Sequence, residues 1–332
     1  MAMGGGSPKA EPTLTQARDV EERIRALLAV KAQLPGAKST LDAATVPDFR
    51  ALFREVAGRG KSFLEIGSGY GFGCLFLALL GAGEVHGIEL LPAAVQAAED
   101  AKRRLDRRLA VVFRQGDAVR GLPYDDRRFD VVLLLEVISH IVVADLSAFI
   151  RDVVRVLRPG GIVYISDGNN ARSWKRRGDN YRIWERFDQG PPTKAGETVC
   201  GHVVKVPYME VRKDLALQAV PSLSTAEAEA IAARTFRSTA EKVRAAARRY
   251  AASGALPDSP FRRGVCPIEP LYGTYIEQVI DPIEVRAHLR ASGCRVAYCG
   301  PRRRLPLAAF WQSLPRLAFL FTNGFKIVGV KP

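Results

Sequence analysis

The sequence has few of the residues that build metal clusters or disulfide frameworks. It contains five cysteines and four histidines in 332 residues. No two cysteines have the C-x-x-C spacing, and none is combined with histidines at zinc-finger spacing. This argues against a structural zinc site, and the odd number of cysteines favours free thiols in a reducing compartment. We therefore expect no resident metal ion and a cytoplasmic location.

The sequence also lacks a long hydrophobic run. The longest apolar stretch, residues 305–321, is interrupted by polar residues, among them Pro315 and Arg316. It is therefore not expected to cross a membrane. Residues 1–13 lack the apolar core of a signal peptide, and we expect them to form a disordered leader.

Composition points to a soluble globular protein with an excess of positive charge. Hydrophobic residues make up 47% of the chain and charged residues 25%, and the formal net charge is +14. The length allows one large domain or two small ones. A charge of this size can indicate an anionic partner, such as nucleic acid or acidic lipid. Because the basic residues are scattered, the sequence favours a basic solvated surface instead.

Short apolar runs alternate with helical patterns from residue 61 onward. Two helices are predicted within residues 14–60, before these runs. A helix at 282–292 follows them, and the sequence at 157–161 predicts a turn. Strands are predicted at 61–66, 84–90, 109–114, 129–135, 162–166, 294–299 and 325–330. This alternation predicts an α/β fold: a doubly wound, Rossmann-like, mostly parallel sheet of seven strands.

The alternating pattern lapses over residues 169–273. There, Ser224 and Glu227 form a capping-box pattern that opens an alanine-rich helix, continuous or broken, reaching about Ala252. We interpret 169–273 as a mainly helical insertion after the fifth strand. Ligands of such sheets bind at the carboxyl ends of the strands, so the insertion is expected to act as a lid. Residues 61–168 and 274–332 would then form the two parts of the core.

The segment FLEIGSGYGFG follows the first predicted strand and is rich in glycine. Glycines permit a tight turn and close approach of the backbone to a ligand. Frames starting at Gly67, Gly69 or Gly71 all fail to give the dinucleotide pattern G-x-G-x-x-G. Glu65 would repel a pyrophosphate, which favours a bare helix N-terminus. It would attract a ligand with a cationic end, such as S-adenosylmethionine.

The stretch from Glu65 to Gly71 resembles the first motif, E/D-x-G-x-G-x-G, of the class I S-adenosylmethionine-dependent methyltransferases. Later motifs follow in the family's order as GIEL, QGDA, FDVVLLLEVISHI and LRPGG. Residues 274–331 resemble the closing helix and strands of the small-molecule, type-11-like branch. The resemblance covers about residues 48–168 and 274–331. It implies a methyltransferase whose cofactor is S-adenosylmethionine.

The resemblance also implies roles for particular residues. Glu89 would bind both ribose hydroxyls, and Asp117 would lie near the adenine amino group. The residues expected to contact the cofactor are Glu65, Gly67, Ser68, Gly69, Gly71, Glu89, Leu90, Asp117, Ala118, Glu136 and Val137.

The implied reaction is an in-line displacement at the sulfonium methyl group by an oxygen or nitrogen of a small-molecule acceptor. A base is needed only if the acceptor atom carries a proton. His140, just beyond the fourth strand, is the first candidate, although a histidine here can also simply pack beside the cofactor. His202 is the second. Asp167, Asn169 and Glu136 could hold a metal ion, but Asp167 and Asn169 also suit a turn, and we predict no metal.

Basic and aromatic residues alternate after the fifth strand. Such a run could hold a flat or acidic acceptor, could bind single-stranded nucleic acid, or could anchor the insertion through its tryptophans. The residues expected to contact the acceptor are Asn169, Asn170, Trp174, Tyr181 and Trp184.

Two other functions compete with a small-molecule methyltransferase. The net charge would suit an RNA methyltransferase, but E-V-I-S-H is not the N/D-P-P-Y/F motif of amino-methylating DNA enzymes, and no RNA-binding module is recognisable. A non-catalytic partner protein could use residues 302–304 and the adjoining apolar stretch on an acidic membrane. We interpret that stretch as a buried helix instead. The sequence does not indicate an oligomeric state, and the expected partner is a small molecule.

Overall fold

The computed structural model describes residues 14–33, 41–191, 197–199, 202–204, 206–302 and 314–332, without the side chains of 14–17, 197–199, 202–204, 315 and 316. The expectations for residues 1–13, for Arg303 and Arg304, and for residues 305–313 lie outside this part of the chain. Among the described residues, no helix combines the length and apolar character needed to cross a bilayer.

The described chain has a seven-stranded sheet and a separate short hairpin. The strands of the sheet are β1 Ser62–Ile66, β2 Glu84–Glu89, β3 Val111–Gln115, β4 Phe129–Leu135, β5 Leu157–Asp167, β8 Arg295–Pro301 and β9 Phe325–Val330, and the hairpin consists of β6 Glu197–Val199 and β7 His202–Val204. The sheet has the order β3-β2-β1-β4-β5-β9-β8. Neighbouring strands are parallel except that β9 runs antiparallel to both β5 and β8. This confirms the predicted mostly parallel, seven-stranded Rossmann-like sheet.

Helices cover both faces of the sheet because side chains of a strand alternate between its two sides. The helices are α1 Leu14–Ala32, α2 Val46–Glu55, α3 Phe72–Leu79, α4 Pro92–Leu105, α5 Leu146–Arg155, α6 Trp174–Gln189, α7 Tyr208–Ala219, α8 Thr225–Ala233, α9 Ala240–Ser253, α10 Pro282–Ala291 and α11 Pro315–Phe321. Phe63 of β1 packs among residues of α1–α4, whereas its neighbour Leu64 packs among residues of α5 and α10.

One local prediction differs from the structure, and one alternative left open by the sequence is decided by it. The predicted turn at 157–161 is part of β5. There, Leu157 pairs with Phe129 and Ile162 with Val131, so the residues between them form a bulge rather than a reversal of the chain. The alanine-rich helix is broken. Ser224 does form the predicted capping box, but α8 ends at Ala233 and α9 begins at Ala240.

A buried ion pair joins three helices that follow β5. The Arg212 guanidinium on α7 donates to the Asp188 carboxylate on α6 at 2.6 and 3.1 Å, and its Nε donates to the carbonyl of Ala232 on α8. Both charged side chains are completely buried. The two charges satisfy each other, so α6, α7 and α8 pack around one polar contact.

Candidate functional site

The loop between β1 and α3 is shaped by backbone angles that favour glycine. Gly67 and Gly69 have φ angles of 69° and 53°. A Cβ on Gly67 would lie 2.4 Å from Cγ2 of Val137, so the chain passes closely over the end of β4. A Cβ on Gly69 would meet nothing within 4 Å. The loop is therefore tightly packed at Gly67 and open at Gly69.

Glu89 ends β2 beside this loop and organises its backbone. Its carboxylate accepts hydrogen bonds from the amides of Gly69 at 2.9 Å and Leu91 at 3.0 Å. Burial raises the pKa of Glu89, and the amide hydrogen bonds oppose that shift. Each carboxylate oxygen can accept more than one hydrogen bond. Glu89 can therefore hold the loop and still accept from ligand hydroxyls.

Glu65 belongs to β1, and its side chain lies behind the glycine loop, against the first turn of α3. It is only 3% exposed, and its carboxylate accepts a hydrogen bond from Sγ of Cys74 at 3.0 Å. A Cβ on Gly73 would lie 2.7 Å from both carboxylate oxygens, so the glycine makes room for the acid. Burial is the main cause that raises the pKa of Glu65 to about 7, and repulsion from Glu89 adds to it.

Acids also follow the third and fourth strands. Asp117 caps a short 3-10 turn by accepting from the amide of Val119 at 3.0 Å. Glu136 has a φ of 55°, which is unusual for a residue other than glycine, and accepts from the amide of Gly168 at 2.9 Å. It also pairs with Arg302. Such strained residues are common at ligand sites, and these two acids lie at the carboxyl edge of the sheet.

These groups line a cavity of about 600 Å³. Ten of the eleven residues predicted to contact the cofactor form one side of it: Glu65, Gly67, Ser68, Gly69, Glu89, Leu90, Asp117, Ala118, Glu136 and Val137. The eleventh, Gly71, does not line the cavity. A Cβ there would lie 2.4 Å from the ring of Phe113, so the glycine allows close packing between α3 and β3.

His140 also lines the cavity, where it is tied to the segment 269–277. Its Nδ1 lies 3.1 Å from the carbonyl oxygen of Tyr275, and its own carbonyl accepts from the Tyr275 amide at 2.8 Å. Its Nε2 lies 4.0 Å from a carboxylate oxygen of Glu277. The side chain of His202, the second candidate base, lies outside the described residues.

Asp167 and Asn169 form a buried turn after β5. Asp167 accepts from the amides of Ser139 and Asn169 at 3.2 and 2.8 Å, and from the Asn169 side chain at 3.1 Å. Burial raises the pKa of Asp167, and the nearby His140 opposes that shift. Asp167 and Asn169 thus form a turn, which was one of the two roles considered for them from the sequence.

None of the five residues predicted to contact the acceptor lines the cavity. Trp174 is 71% exposed, and Tyr181 lies on the outer part of α6. Asn170 donates to the carbonyls of Phe319 and Thr322. The remaining two support the cavity wall from behind. The indole of Trp184 donates to the carbonyls of residues 276 and 277, and the side chain of Asn169 donates to the Glu277 carboxylate at 2.6 Å.

Sequence reasoning missed the wall of the cavity opposite the glycine loop. It consists of Tyr208 on α7 and a loop segment before α10. The signal was present in the stretch EPLYGTYIE, where two glutamates flank a glycine and two tyrosines. The lining residues that were missed here are Tyr208, Glu269, Tyr272, Gly273, Thr274, Tyr275, Ile276 and Glu277.

Comparison with known proteins identifies the glycine-loop part of the chain. Residues 64–165 match the family described as "Methyltransferase domain". Norajmaline N-methyltransferase of Rauvolfia serpentina is 35% identical over 35% of this chain and 39% of its own length. Ubiquinone biosynthesis O-methyltransferase of Maricaulis maris is 34% identical over 38% of this chain and 48% of its own length. The chain thus spans less than half the length of these curated relatives.

A solved structure has a similar extent. The S-adenosylmethionine dependent methyltransferase from Mesorhizobium loti is 16% identical to this chain, with a TM-score of 0.43, over 87% of this chain and 98% of its own.

The site fits S-adenosylmethionine, a cation that carries a ribose diol. Glu89 presents a carboxylate to the cavity, where it can accept from two hydroxyl groups, and the open side of Gly69 leaves room for close approach of a ligand. The acids Glu65 and Asp117 suit the positive charge and the amino groups of this cofactor. With the family match over residues 64–165, these features show that this part of the chain is a class I S-adenosylmethionine-dependent methyltransferase domain.

Proposed function

We propose that the protein transfers a methyl group from S-adenosylmethionine to an oxygen or nitrogen atom of a small-molecule acceptor. The observation that carries this proposal is the shared cavity. One side is built by the glycine loop and the strand-end acids, and the other by His140 and residues 269–277. Its volume of about 600 Å³ lies within the range of small-molecule sites. The names of the relatives, an N- and an O-methyltransferase, agree with it.

The residues of the cavity divide into two roles. The cofactor, when bound, supplies an activated methyl group with a neutral leaving group. Glu89 would bind the ribose hydroxyls, Asp117 would lie near the adenine amino group, and the loop at Gly67 and Gly69 would approach the cofactor through its backbone. The opposite wall would orient the acceptor for in-line attack and exclude water.

His140 is the candidate general base. The Tyr275 carbonyl can only accept a hydrogen bond, so it favours the tautomer with the proton on Nδ1. Nε2 then carries the lone pair that can take a proton from the acceptor. Glu277, with its carboxylate 4.0 Å from Nε2, would stabilise the positive charge that the ring gains.

The helices after β5 are proposed to act as a cover for this chamber. Tyr208 on α7 lines the cavity, and Trp184 on α6 hydrogen-bonds the backbone of the opposite wall. A segment in this position can shield the reaction from water and shape the acceptor site.

The cofactor is tested by calorimetric titration with S-adenosylhomocysteine beside NAD. We expect binding in the micromolar range for the former and none for the latter. A folded protein that binds neither would contradict the proposal. An acceptor screen with labelled methyl donor and pooled metabolites would then follow. Salt-sensitive retention and methylation of RNA in that screen would contradict a small-molecule acceptor.

The role of His140 is tested by His140→Asn, with His288→Asn on α10 as the matched control. General base catalysis contributes roughly 10²- to 10⁴-fold, so turnover should fall by about that factor while S-adenosylhomocysteine affinity stays unchanged. The control should change neither quantity. Normal turnover in His140→Asn would remove the histidine from the reaction and leave the transferase proposal in place.

A further inference from the structure

Glu269 is a buried acid whose hydrogen bonding is incomplete within the chain. It is 2% exposed and lines the cavity. One carboxylate oxygen accepts from the backbone amide of Tyr272. The other, Oε1, has no hydrogen-bond partner among the residues that the structure describes. A buried acceptor without a hydrogen bond is unfavourable, and more so when it is charged, so a donor from a ligand would be favourable at this position.

Glu269 forms no ion pair with a basic side chain of the described residues. Burial raises its pKa, and the amides of Tyr272 and Leu271 oppose that shift. Arg237, a basic residue in contact with this wall, lies over the ring of Tyr275 and donates a hydrogen bond to its hydroxyl group. Within the described part of the chain, a cationic ligand would therefore meet an acid that is not paired with arginine or lysine.

The charged residues of the whole cavity lining also favour a cationic ligand. The described lining residues include six acids but only two basic side chains, Arg120 and His140. Three of the acids are paired with arginines: Asp117 with Arg120, Glu136 with Arg302, and Glu277 with Arg176 at 3.6 Å. The other three, Glu65, Glu89 and Glu269, form no ion pair with the described residues. The wall formed by residues 269–277 contains two acids and no basic residue. This arrangement disfavours an anionic acceptor, even though the chain as a whole carries a net charge of +14.

Tyrosines surround the same part of the cavity. Tyr70 from the glycine loop, Tyr208 from α7, and Tyr272 and Tyr275 from the opposite wall all line it. The electron-rich faces of aromatic rings attract ammonium groups, and this attraction increases where water is excluded. Acids combined with tyrosines suit a ligand that has both a positive charge and an apolar body.

We propose that the acceptor is a primary or secondary amine with an apolar or aromatic body, and that Glu269 binds its ammonium group. This inference rests on the proposed function, since it names the substrate class of that same cavity. The ammonium first gives one proton to a base, for which His140 is the candidate. The nitrogen lone pair then forms the bond to the methyl carbon, and the electron pair of the broken carbon–sulfur bond stays on sulfur.

The test compares ligands that differ in charge but share a shape. Tryptamine, tryptophol and indole-3-propionate form one set, and phenethylamine, phenethyl alcohol and 3-phenylpropionate form a second. Each is titrated calorimetrically into protein saturated with S-adenosylhomocysteine. We expect an amine to bind at least about tenfold more tightly than its matched alcohol, which corresponds to about 1.4 kcal/mol, and the carboxylates not to bind. Glu269→Gln should remove this preference, and Glu241→Gln, an exposed glutamate on α9, should keep it.

Three outcomes would overturn the proposal: equal binding of amines and alcohols, no binding of either amine, or a preference that persists in Glu269→Gln. If Glu269→Gln does not fold, the ranking of the matched ligands on the wild-type protein decides alone. Failure of the wild-type protein to bind S-adenosylhomocysteine would instead contradict the proposed function. The two proposals can therefore fail separately.

Discussion

Replacing Glu89 tests the cofactor half of the cavity most directly. In the folded protein its carboxylate already accepts from the amides of Gly69 and Leu91. The same oxygens would accept two hydrogen bonds from the ribose. Glu89→Ala therefore removes the two ligand contacts and also releases the loop that approaches the ligand. Both consequences weaken binding, and neither removes a side chain from the apolar core.

The size of the loss follows from the contacts. Two charge-assisted hydrogen bonds to the ribose are worth on the order of 2–4 kcal/mol together. This corresponds to a decrease in affinity of roughly 30- to 1,000-fold. Glu89→Gln keeps one acceptor oxygen but loses the negative charge and the second acceptor, so its loss should be smaller, about tenfold. The ratio of the affinities of Glu89→Gln and Glu89→Ala separates the contribution of the negative charge to binding from that of the rest of the side chain.

Calorimetric titration with S-adenosylhomocysteine measures these affinities, and Glu241→Ala serves as the control for removal of a carboxylate. Circular dichroism and thermal unfolding would show that each variant is folded. Unchanged affinity in a folded Glu89→Ala protein would refute the reasoning. It would mean that the carboxylate serves only to hold the loop and that the ribose lies elsewhere.

Three further predictions concern stability. The folded-state pKa of Glu65, about 7, lies above its usual 4.5, so its contribution to stability is complete below about pH 4.5 and is lost as the pH rises through 7. Between pH 4.5 and pH 7 the free energy of unfolding of the wild type, measured with urea, should fall by on the order of 3 kcal/mol relative to that of Glu65→Gln. Equal pH dependence of the two proteins would contradict this prediction. Gly67→Ala would place a Cβ 2.4 Å from a methyl group of Val137, whereas the Cβ of Gly254→Ala, at nearly the same φ, meets no atom within 4 Å. Gly67→Ala should therefore lower the melting temperature more than Gly254→Ala does. Equal decreases in melting temperature would contradict the steric clash. Arg212→Met leaves the buried Asp188 carboxylate unpaired and should cost about 3–5 kcal/mol in denaturant unfolding, whereas the double variant Arg212→Met with Asp188→Leu should recover much of it.

The glycine-loop side of the cavity could be predicted because each of its parts is local in sequence. A glycine loop or an acid directly follows a strand, and parallel strands bring their carboxyl ends to one edge. Local spacing did not separate Gly67, which approaches the cavity, from Gly71, which packs against the ring of Phe113. That difference depends on neighbours that are distant in the chain.

The acceptor half could not be predicted in the same way. Its wall comes from residues 269–277, which have no helical or strand periodicity, and from Tyr208 on a different helix. Trp184 was assigned to the acceptor because aromatic residues often contact ligands. Its indole instead donates to the backbone of that wall, at Ile276 and Glu277. The alternation of basic and aromatic residues correctly indicated a segment close to the cavity. Whether a residue of that segment lines the cavity or packs behind its wall depends on tertiary packing.

The surface of the protein is basic, whereas the lining of the cavity is acidic, and this difference affects how the net charge should be interpreted. At physiological ionic strength, charges more than about 8 Å apart across solvent are largely screened, whereas buried charges are screened much less. The exposed arginines that give the chain its charge of +14 therefore act weakly on a ligand inside the cavity. Burial raises the pKa values of Glu65, Glu89 and Glu269, and a bound cation would favour their charged forms, which salt screens little inside the cavity. We therefore expect the preference of the site to depend on its own acids, and a basic surface is compatible with a cavity that favours cations.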